Sequence, residues 1–470
     1  MTSPIFKTKT GTQLLDAIKK MAEADIGSIV IVNDKNELEG LLTAKGIIKK
    51  YYEKYLHKER SFIVDDFMNK NPVSLPPEYP LIEALYELQK RGEDYAVICK
   101  SKIPVGIISS KDILRILFRN VSVYETHIDS MSNLDELKDV HKNLFKIAKN
   151  LIENTKFISE ILTVLSGIHL KIIKKVYFLT AKNYKEKFNV EVEQIPHSFI
   201  IMGSGGRREM FLDPDQDNGF IFPDNLSEAE KNHLIKFGEY LVENLDYVGY
   251  AKCQGNIMVT NPEMRKTISE WKKDIGGWVD NPGKWGIRWS SIVFDFDSVF
   301  GDEQLVWELR EFVLEKISQK PVFLLQMLKS DANHAIPLSI FGNFIVEKKG
   351  KYKGTFNLKR TALMFIVDVT RAFALYKKLK DLNTIERLNH LERIKVLSSE
   401  TVENIKEAYN VVCEIILNHQ IEQAEKGEEL NKFINPKKLS LYTQEKLKNA
   451  LKSISKYLDK GLSYFGGSPF

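Results

Sequence analysis

The chain has 470 residues, too many for one ordinary core, so two to four domains are expected. Hydrophobic residues make up 43% and charged residues 28%, which excludes wholesale disorder. The 68 Lys and Arg nearly cancel the 63 Asp and Glu, and a net +5 gives no nucleic-acid signature.

The first quarter is an internal repeat. Leu14-Leu15-Asp16-Ala17-Ile18 followed by Ile29-Val30-Ile31-Val32 lines up with Leu81-Ile82-Glu83-Ala84-Leu85 followed by Ala96-Val97-Ile98-Cys99. Each copy reads as an amphipathic helix, a short β-branched strand, a hairpin to a second strand (Gly40-Leu41-Leu42-Thr43; Gly106-Ile107-Ile108-Ser109) and a closing helix. Ser109 and Asp112 stand three apart at a strand-to-helix turn, where a hydroxyl can hold phosphate and a carboxylate can accept bonds from a ribose diol. The same spacing also makes a simple helix cap. Copy one has Thr43 but Gly46 where the acid would stand. The repeat resembles a tandem CBS pair, and that resemblance implies adenine nucleotide (AMP, ADP or ATP) in the clefts between copies and a homodimer built through the pair.

Residues 132–188 are helical in pattern. Leu134, Leu137, Val140, Leu144, Ile147 and Leu151 recur at three- and four-residue steps, and Asn133 with Glu136 makes a capping box. This segment is either a coupling element or a layer packed on the next domain. The lysines at 171, 174, 175, 348, 349 and 351 read as solvated faces.

Residues 198–222 carry the chemistry. A buried-strand run (Phe199-Ile200-Ile201-Met202) meets a glycine-rich bend (Gly203-Ser204-Gly205-Gly206), and a second strand is expected to carry Asp215 and Asp217 on one face. Paired carboxylates repel unless a cation sits between them or one is protonated, and oxygen-only ligation with room for phosphate suits Mg²⁺. Glycines let a phosphate approach the backbone, and Ser204 adds a donor. Together the bend and the Asp-x-Asp pair resemble the polymerase-beta-type nucleotidyltransferase signature. Gly203, Gly206, Arg207, Glu209, Asp215 and Asp217 fall in register with the N-terminal core of the protein-PII uridylyltransferase family. Arg208 departs from it, standing where a small residue is usual. The resemblance implies a third carboxylate within residues 291–302, read as strand-like, with Asp295 favoured over Asp297.

Between the acidic segments, Trp271, Trp278, Trp285 and Trp289 read as core and Cys253 as a small buried hydrophobe. Beyond residue 310 helical periodicity returns. Lys359, Arg371 and Arg387 either face a triphosphate or form interhelical ion pairs. The widely spaced Cys99, Cys253 and Cys413 form neither disulfide framework nor zinc site. With no apolar run of roughly 20 residues to span a bilayer and no apolar signal core in residues 1–7, a cytoplasmic location is expected.

The expected architecture is α+β multidomain: a CBS domain pair (1–120), a helical connector (121–195), a polymerase-beta-like nucleotidyltransferase core with mixed sheet (196–310) and a C-terminal helical bundle (311–470). The implied activity moves NMP from an NTP to a protein or small-molecule acceptor, a PII-like signalling protein on the family resemblance. Asp215, Asp217 and Asp295 would hold two Mg²⁺ ions. Gly203, Ser204, Gly206 and Arg207 would bind the substrate nucleotide, with Thr43, Ser109 and Asp112 binding the regulatory one. The rival expectation is a non-catalytic adenine-nucleotide sensor on a transferase scaffold; a further one is adenylylation of a small molecule.

Overall fold

The computed structural model describes residues 5–24, 26–56, 62–79, 84, 87–88, 91–110, 112–113, 127–154, 158–331, 335–339 and 341–466. Two compact units make up the chain, Met1–Ser122 and Val123–Phe470.

The first unit holds β1 (Lys7–Lys9), α1 (Leu14–Glu23), β2 (Ser28–Val32), β3 (Leu38–Thr43), α2 (Ala44–Leu56), α3 (Val64–Phe67), β4 (Val73–Leu75), β5 (Tyr95–Lys100) and β6 (Ile103–Ser109). Its two three-stranded sheets have one topology: β1 runs parallel to β2 and β2 antiparallel to β3, as β4 does to β5 and β5 to β6. Both faces of β2 and β5 are used. Ile29 and Ile31 pack under α1 and α3 with Leu14, Met21 and Phe67, and Ala96 and Ile98 pack in the matching cluster of copy two. The intervening residues Val30, Val32, Val97 and Cys99 pack on each other and join the two sheets. Two-residue periodicity thus feeds two cores from one strand. Most of the first helix of copy two and its closing helix lie outside the described residues.

The second unit opens with two long helices, α4 (Leu134–Asn154) and α5 (Ile158–Phe188). Asn133 Oδ1 accepts from Glu136 N at 3.0 Å, and the Glu136 carboxylate accepts from Ser132 N at 2.8 Å. These helices layer onto the domain that follows, the plainer of the two sequence readings. That domain contains β7 (Ser198–Ile201), the single turn α6 (Gly203–Gly206), β8 (Asn218–Phe222), α7 (Glu228–Val248), β9 (Arg265–Thr267), α8 (Ile268–Asp280), α9 (Lys284–Val293) and β10 (Asp297–Gly301). The sheet order is β10-β7-β8-β9, with β8 and β9 parallel and the other pairs antiparallel. Every residue of β7 and β8 is buried, so both faces of the central strands are covered. Residues 291–302 were expected as strand. Instead α9 runs through Val293, Phe294 and Asp295 turn, and the strand starts only at Asp297. A short apolar run without alternation does not separate helix from strand.

The helical remainder comprises α10 (Glu303–Ser318), α11 (Pro321–Asp331), α12 (Met364–Tyr376), α13 (Thr384–Arg393), α14 (Ser399–Glu425) and α15 (Leu441–Gly466). A two-stranded ribbon, β11 (Phe356–Asn357) with β12 (Phe433–Ile434), ties two distant loops together. In α12 every residue from Phe365 to Leu375 is buried, as expected of a central helix.

Trp271 is core. It is fully buried, and its indole N–H donates to Phe220 O of the central strand at 3.0 Å. Trp271→Ala should cost about 3–5 kcal/mol in denaturant unfolding of the second unit; a loss below about 1 kcal/mol would contradict this placement.

Candidate functional site

The glycine bend forms α6, one helical turn at the end of β7. Gly203 has φ +59°, and a Cβ there would stand 3.1 Å from Asp217 Oδ2 and 3.3 Å from Ile292 Cγ2. At Gly206 a Cβ would lie 1.9 Å from Asp295 O, an impossible approach for any side chain. Glycine is therefore required at both positions, for conformation at one and for space at the other. Ser204 is half-buried on this turn.

Asp215 and Asp217 do not sit on a strand, contrary to the sequence expectation: β8 begins one residue later, at Asn218. The preceding segment is irregular around Pro214, which lacks an N–H for pairing. It is fixed from both sides, Met202 N donating to Asp217 O at 2.8 Å and Gln216 N to Ala251 O at 2.9 Å. Asp215 is exposed and Asp217 half-buried, with Asp217 Oδ1 fully buried and without a hydrogen-bond partner. Burial, then the neighbouring Asp215, pushes the Asp217 carboxyl up to about 7. The Cys253 thiol, half-buried, touches Asp217; burial and that carboxylate push it up to about 11.

Asp295 belongs to a different arrangement. Its side chain is 0% exposed. Oδ2 accepts from Arg207 Nη1 at 2.8 Å and from Arg371 Nε and Nη2 at 2.8 and 2.7 Å, and Oδ1 accepts from Arg387 Nη2 at 2.8 Å. Burial alone pushes this carboxyl up, but the guanidiniums of Arg371, Arg387 and Arg207 more than offset it and hold it well below the usual range. Arg207 also donates to Glu209 at 2.8 Å, Arg371 pairs with Asp368, and Glu209 Oε1 accepts from Thr384 N at 2.6 Å.

Asp297 opens β10 opposite Ile201, with its Oδ2 3.6 Å from the exposed Arg208, itself at φ +57°. Among the described residues, no three or more His, Cys, Asp or Glu side chains gather closely enough to hold a metal. The expected trio thus reduces to the pair Asp215 and Asp217, with Asp295 spent on arginine. Arg371 and Arg387 likewise face Asp295, as buried ion pairs from two helices to the bend after α9. Of the three cations considered in the tail, Lys359 is the one whose charge reaches Asp217.

Sequence reasoning missed Lys432, whose Nζ lies 2.5 Å from Asp213 Oδ1 and 3.2 Å from Asp213 O. Gln420 also bonds the Asp213 carboxylate. No local pattern could have revealed this pairing across more than two hundred residues.

In the first unit a cavity of about 750 Å³ is lined by Thr43, Lys45, Gly46, Asp65, Asn69 and Lys70, among others. Thr43 Oγ1 accepts from Gly46 N at 3.0 Å. Ser109 and Asp112 lie outside the described lining and cap one another, the hydroxyl donating to Asp112 Oδ2 at 2.7 Å and accepting from Asp112 N at 3.0 Å.

If Asp295 is a structural anion, Asp295→Asn should destabilise the second unit by about 3–5 kcal/mol, because buried guanidiniums lose their counter-charge. Divalent-cation affinity, measured at a temperature where the variant stays folded, should be unchanged. A variant of native stability with lost cation binding would restore Asp295 as a ligand.

With this geometry in view, comparison with known proteins assigns the chain's parts. Residues 1–53 and 64–119 match the CBS domain family. Residues 142–284 match the family described as "Putative nucleotidyltransferase DUF294", and residues 321–462 match "Putative nucleotidyltransferase substrate binding domain". Among curated proteins, an uncharacterized 17.7 kDa protein of Acidianus ambivalens is 25% identical over 117 residues, covering 25% of this chain and 69% of that protein. An uncharacterized protein of Methanocaldococcus jannaschii is 24% identical over 117 residues, 25% of this chain and 41% of that protein. The A-adding tRNA nucleotidyltransferase of Aquifex aeolicus is 24% identical over 115 residues, 24% of this chain but 13% of that protein. Among solved structures, an uncharacterized conserved protein from Pyrococcus horikoshii is 27% identical with a TM-score of 0.23, covering 25% of this chain and 86% of its own. The chain thus carries a CBS pair at its N-terminus, followed by a nucleotidyltransferase-like domain similar to the DUF294 family and a helical part similar to the family described as that transferase's substrate-binding domain.

Proposed function

We propose that the second unit is a Mg²⁺-dependent nucleotidyltransferase that moves NMP from an NTP to an acceptor, tuned by an adenine nucleotide bound in the first. One observation carries the reading: Asp217 Oδ1 is buried without a partner, beside a second carboxylate, under a glycine turn that has room only for backbone. A buried acceptor without a donor is costly, and a hard cation relieves both that cost and the repulsion between the acids. The pair fits Mg²⁺ by donor chemistry, since both ligands are carboxylate oxygens.

Asp215 and Asp217 would hold the ion, which when bound neutralises phosphate charge and favours ionisation of the acceptor hydroxyl. The chain's own residues do the rest. Gly203 keeps the turn flush against Asp217 and Gly206 seats its other end on the Asp295 backbone, so triphosphate can approach the turn's backbone. Ser204 offers a hydroxyl donor to a phosphate oxygen. Arg207, held by Glu209 and Asp295, fixes the end of the turn rather than reaching substrate. In-line attack on the α-phosphorus then expels pyrophosphate. The acceptor, on the sequence resemblance, is a PII-like signalling protein, with a small molecule as the alternative product that mass spectrometry separates. The regulatory AMP, ADP or ATP fits the cavity at Thr43, and a ligand preferring one state of the protein would shift turnover. A cytoplasmic homodimer formed through the CBS pair belongs to the same reading. Among the described residues no helix is long and apolar enough to cross a membrane.

The decisive measurement is pyrophosphate release with each NTP and Mg²⁺. Asp215→Asn and Asp217→Asn should each lower it at least about a hundredfold while leaving the fold intact. Turnover in either variant equal to wild type would refute the assignment.

The pH dependence has a definite sign. Protons compete with the cation for Asp217, so Mg²⁺ affinity should fall about tenfold per pH unit below about 7 and level off above it. In the metal-free protein the same raised carboxyl makes the fold bind more protons than the unfolded chain between about pH 4 and 7. Stability should therefore drop as pH rises through that window. The buried His141, His169 and His197, pushed down by burial to about 4, 3 and 4, act in the opposite direction. The difference between wild type and Asp217→Asn isolates the acid; a flat difference profile would rule out the elevated carboxyl.

A further inference from the structure

The segment that carries the acid pair is held by side chains from other elements. Between the glycine turn and β8 the chain is irregular, so its buried N–H and C=O groups need partners from outside. Three successive residues find them. Met210 N donates to Ser166 Oγ at 2.7 Å, Phe211 O accepts from His169 Nε2 at 2.9 Å, and Leu212 N donates to Gln420 Oε1 at 3.1 Å. Ser166 and His169 stand three apart on one face of α5, Gln420 is on α14, and all three are fully buried.

His169 reaches the far end of the segment as well. A carbonyl only accepts, so the bond to Phe211 O assigns the proton to Nε2 and leaves Nδ1 as an acceptor. Burial pushes the imidazole down to about 3 and keeps it neutral. The Tyr250 hydroxyl, 3.0 Å away, donates to Nδ1. Tyr250 O in turn accepts from Gln216 Nε2 at 2.9 Å, and Gln216 N donates to Ala251 O at 2.9 Å. Gln216 lies between Asp215 and Asp217, and a second bond, to Val242 O at 3.0 Å, fixes its amide. One imidazole thus touches the acid segment upstream through a carbonyl and downstream through a tyrosine. Apolar side chains would seat α5 without desolvating polar groups; a buried, bonded network instead selects one arrangement.

Resting on the transferase reading above, we propose that His169 is a positioning residue. It holds the Asp215–Asp217 backbone in the geometry that binds the cation, with Ser166 and Gln420 as partners upstream and Tyr250 downstream. Through it α5 does more than cover the sheet: it sets the affinity of the acid pair for its metal.

The test is Mg²⁺ affinity of the full chain by calorimetry, with kcat and KM for pyrophosphate release from the NTP that supports it, at a temperature where each variant is folded. Tyr250→Phe removes one hydroxyl. His169→Gln keeps a donor near the place of Nε2 but gives up the acceptor, and His169→Phe removes both. The first two should each weaken Mg²⁺ about tenfold and His169→Phe about a hundredfold, with kcat falling in step and KM for the NTP unchanged. Tyr457→Phe removes a buried hydroxyl bonded to Thr370 instead, so it should lower thermal stability and leave Mg²⁺ affinity as it is. If His169→Phe does not fold, Tyr250→Phe and His169→Gln decide alone. If wild type binds Mg²⁺ through Asp217 and these variants bind it equally well, or Tyr457→Phe loses affinity by the same factor, the positioning role fails and the transferase reading stands. If wild type shows no Asp217-dependent Mg²⁺ binding, both fall together.

Discussion

A single buried carboxylate holds the β10-β7-β8-β9 sheet and the helical tail in one geometry. Asp295 receives Arg207 from the glycine turn, Arg371 from α12 and Arg387 from α13. Around it the charges balance: Arg207, Arg371 and Arg387 against Asp295, Glu209 and Asp368. Buried ion clusters add little net stability, because desolvation consumes most of the Coulombic gain. What they supply is position. Removing any member leaves a buried charge unmatched, so α12, α13 and the turn after β7 have few alternative arrangements.

That anchoring reaches the acid pair through the backbone. Gly206 lies so close to Asp295 O that no side chain fits between them, while Gly203 faces the Asp217 carboxylate. The turn is therefore pinned at one end by the arginine cluster and presented at the other to Asp217. Met202, the residue before the turn, bonds the Asp217 backbone as well. Any substrate held at Asp217 would thus sense a sheet whose end is fixed from the far side by helices of the tail.

The repeat in the first unit was legible because its physics is local. Two-residue alternation in Ile29-Val30-Ile31-Val32 serves two cores at once, and its duplicate at 96–99 serves the same two roles. The glycine bend and Asp-x-Asp pair were legible too, since positive φ, close approach and charge crowding each leave marks in sequence. The reading failed where residues of equal polarity have several partners. Residues 291–302 carry an apolar run that suits helix or strand, and the structure divides it, helix to Val293 and strand only from Asp297. Asp295 looked like a metal ligand because nothing in its neighbourhood announces three arginines, all of them more than seventy residues away. Lys432 carried no sign at all, because a lone lysine in a polar loop gains meaning only when a ribbon brings it to Asp213.

The contrast between Asp295 and Asp217 shows how one fold assigns opposite tasks to similar groups. Both are aspartates in protein-dense surroundings close to the same glycine turn. Asp295 meets enough guanidinium to stay ionised at any working pH, and its oxygens are saturated by donors. Asp217 meets another acid instead, and one of its oxygens meets nothing. A cation entering this region would have to displace arginines at the first and would relieve strain at the second. The electrostatic difference is built in before any ligand arrives: Asp295 is closed to a cation by its arginines, while Asp217 keeps one oxygen without a donor.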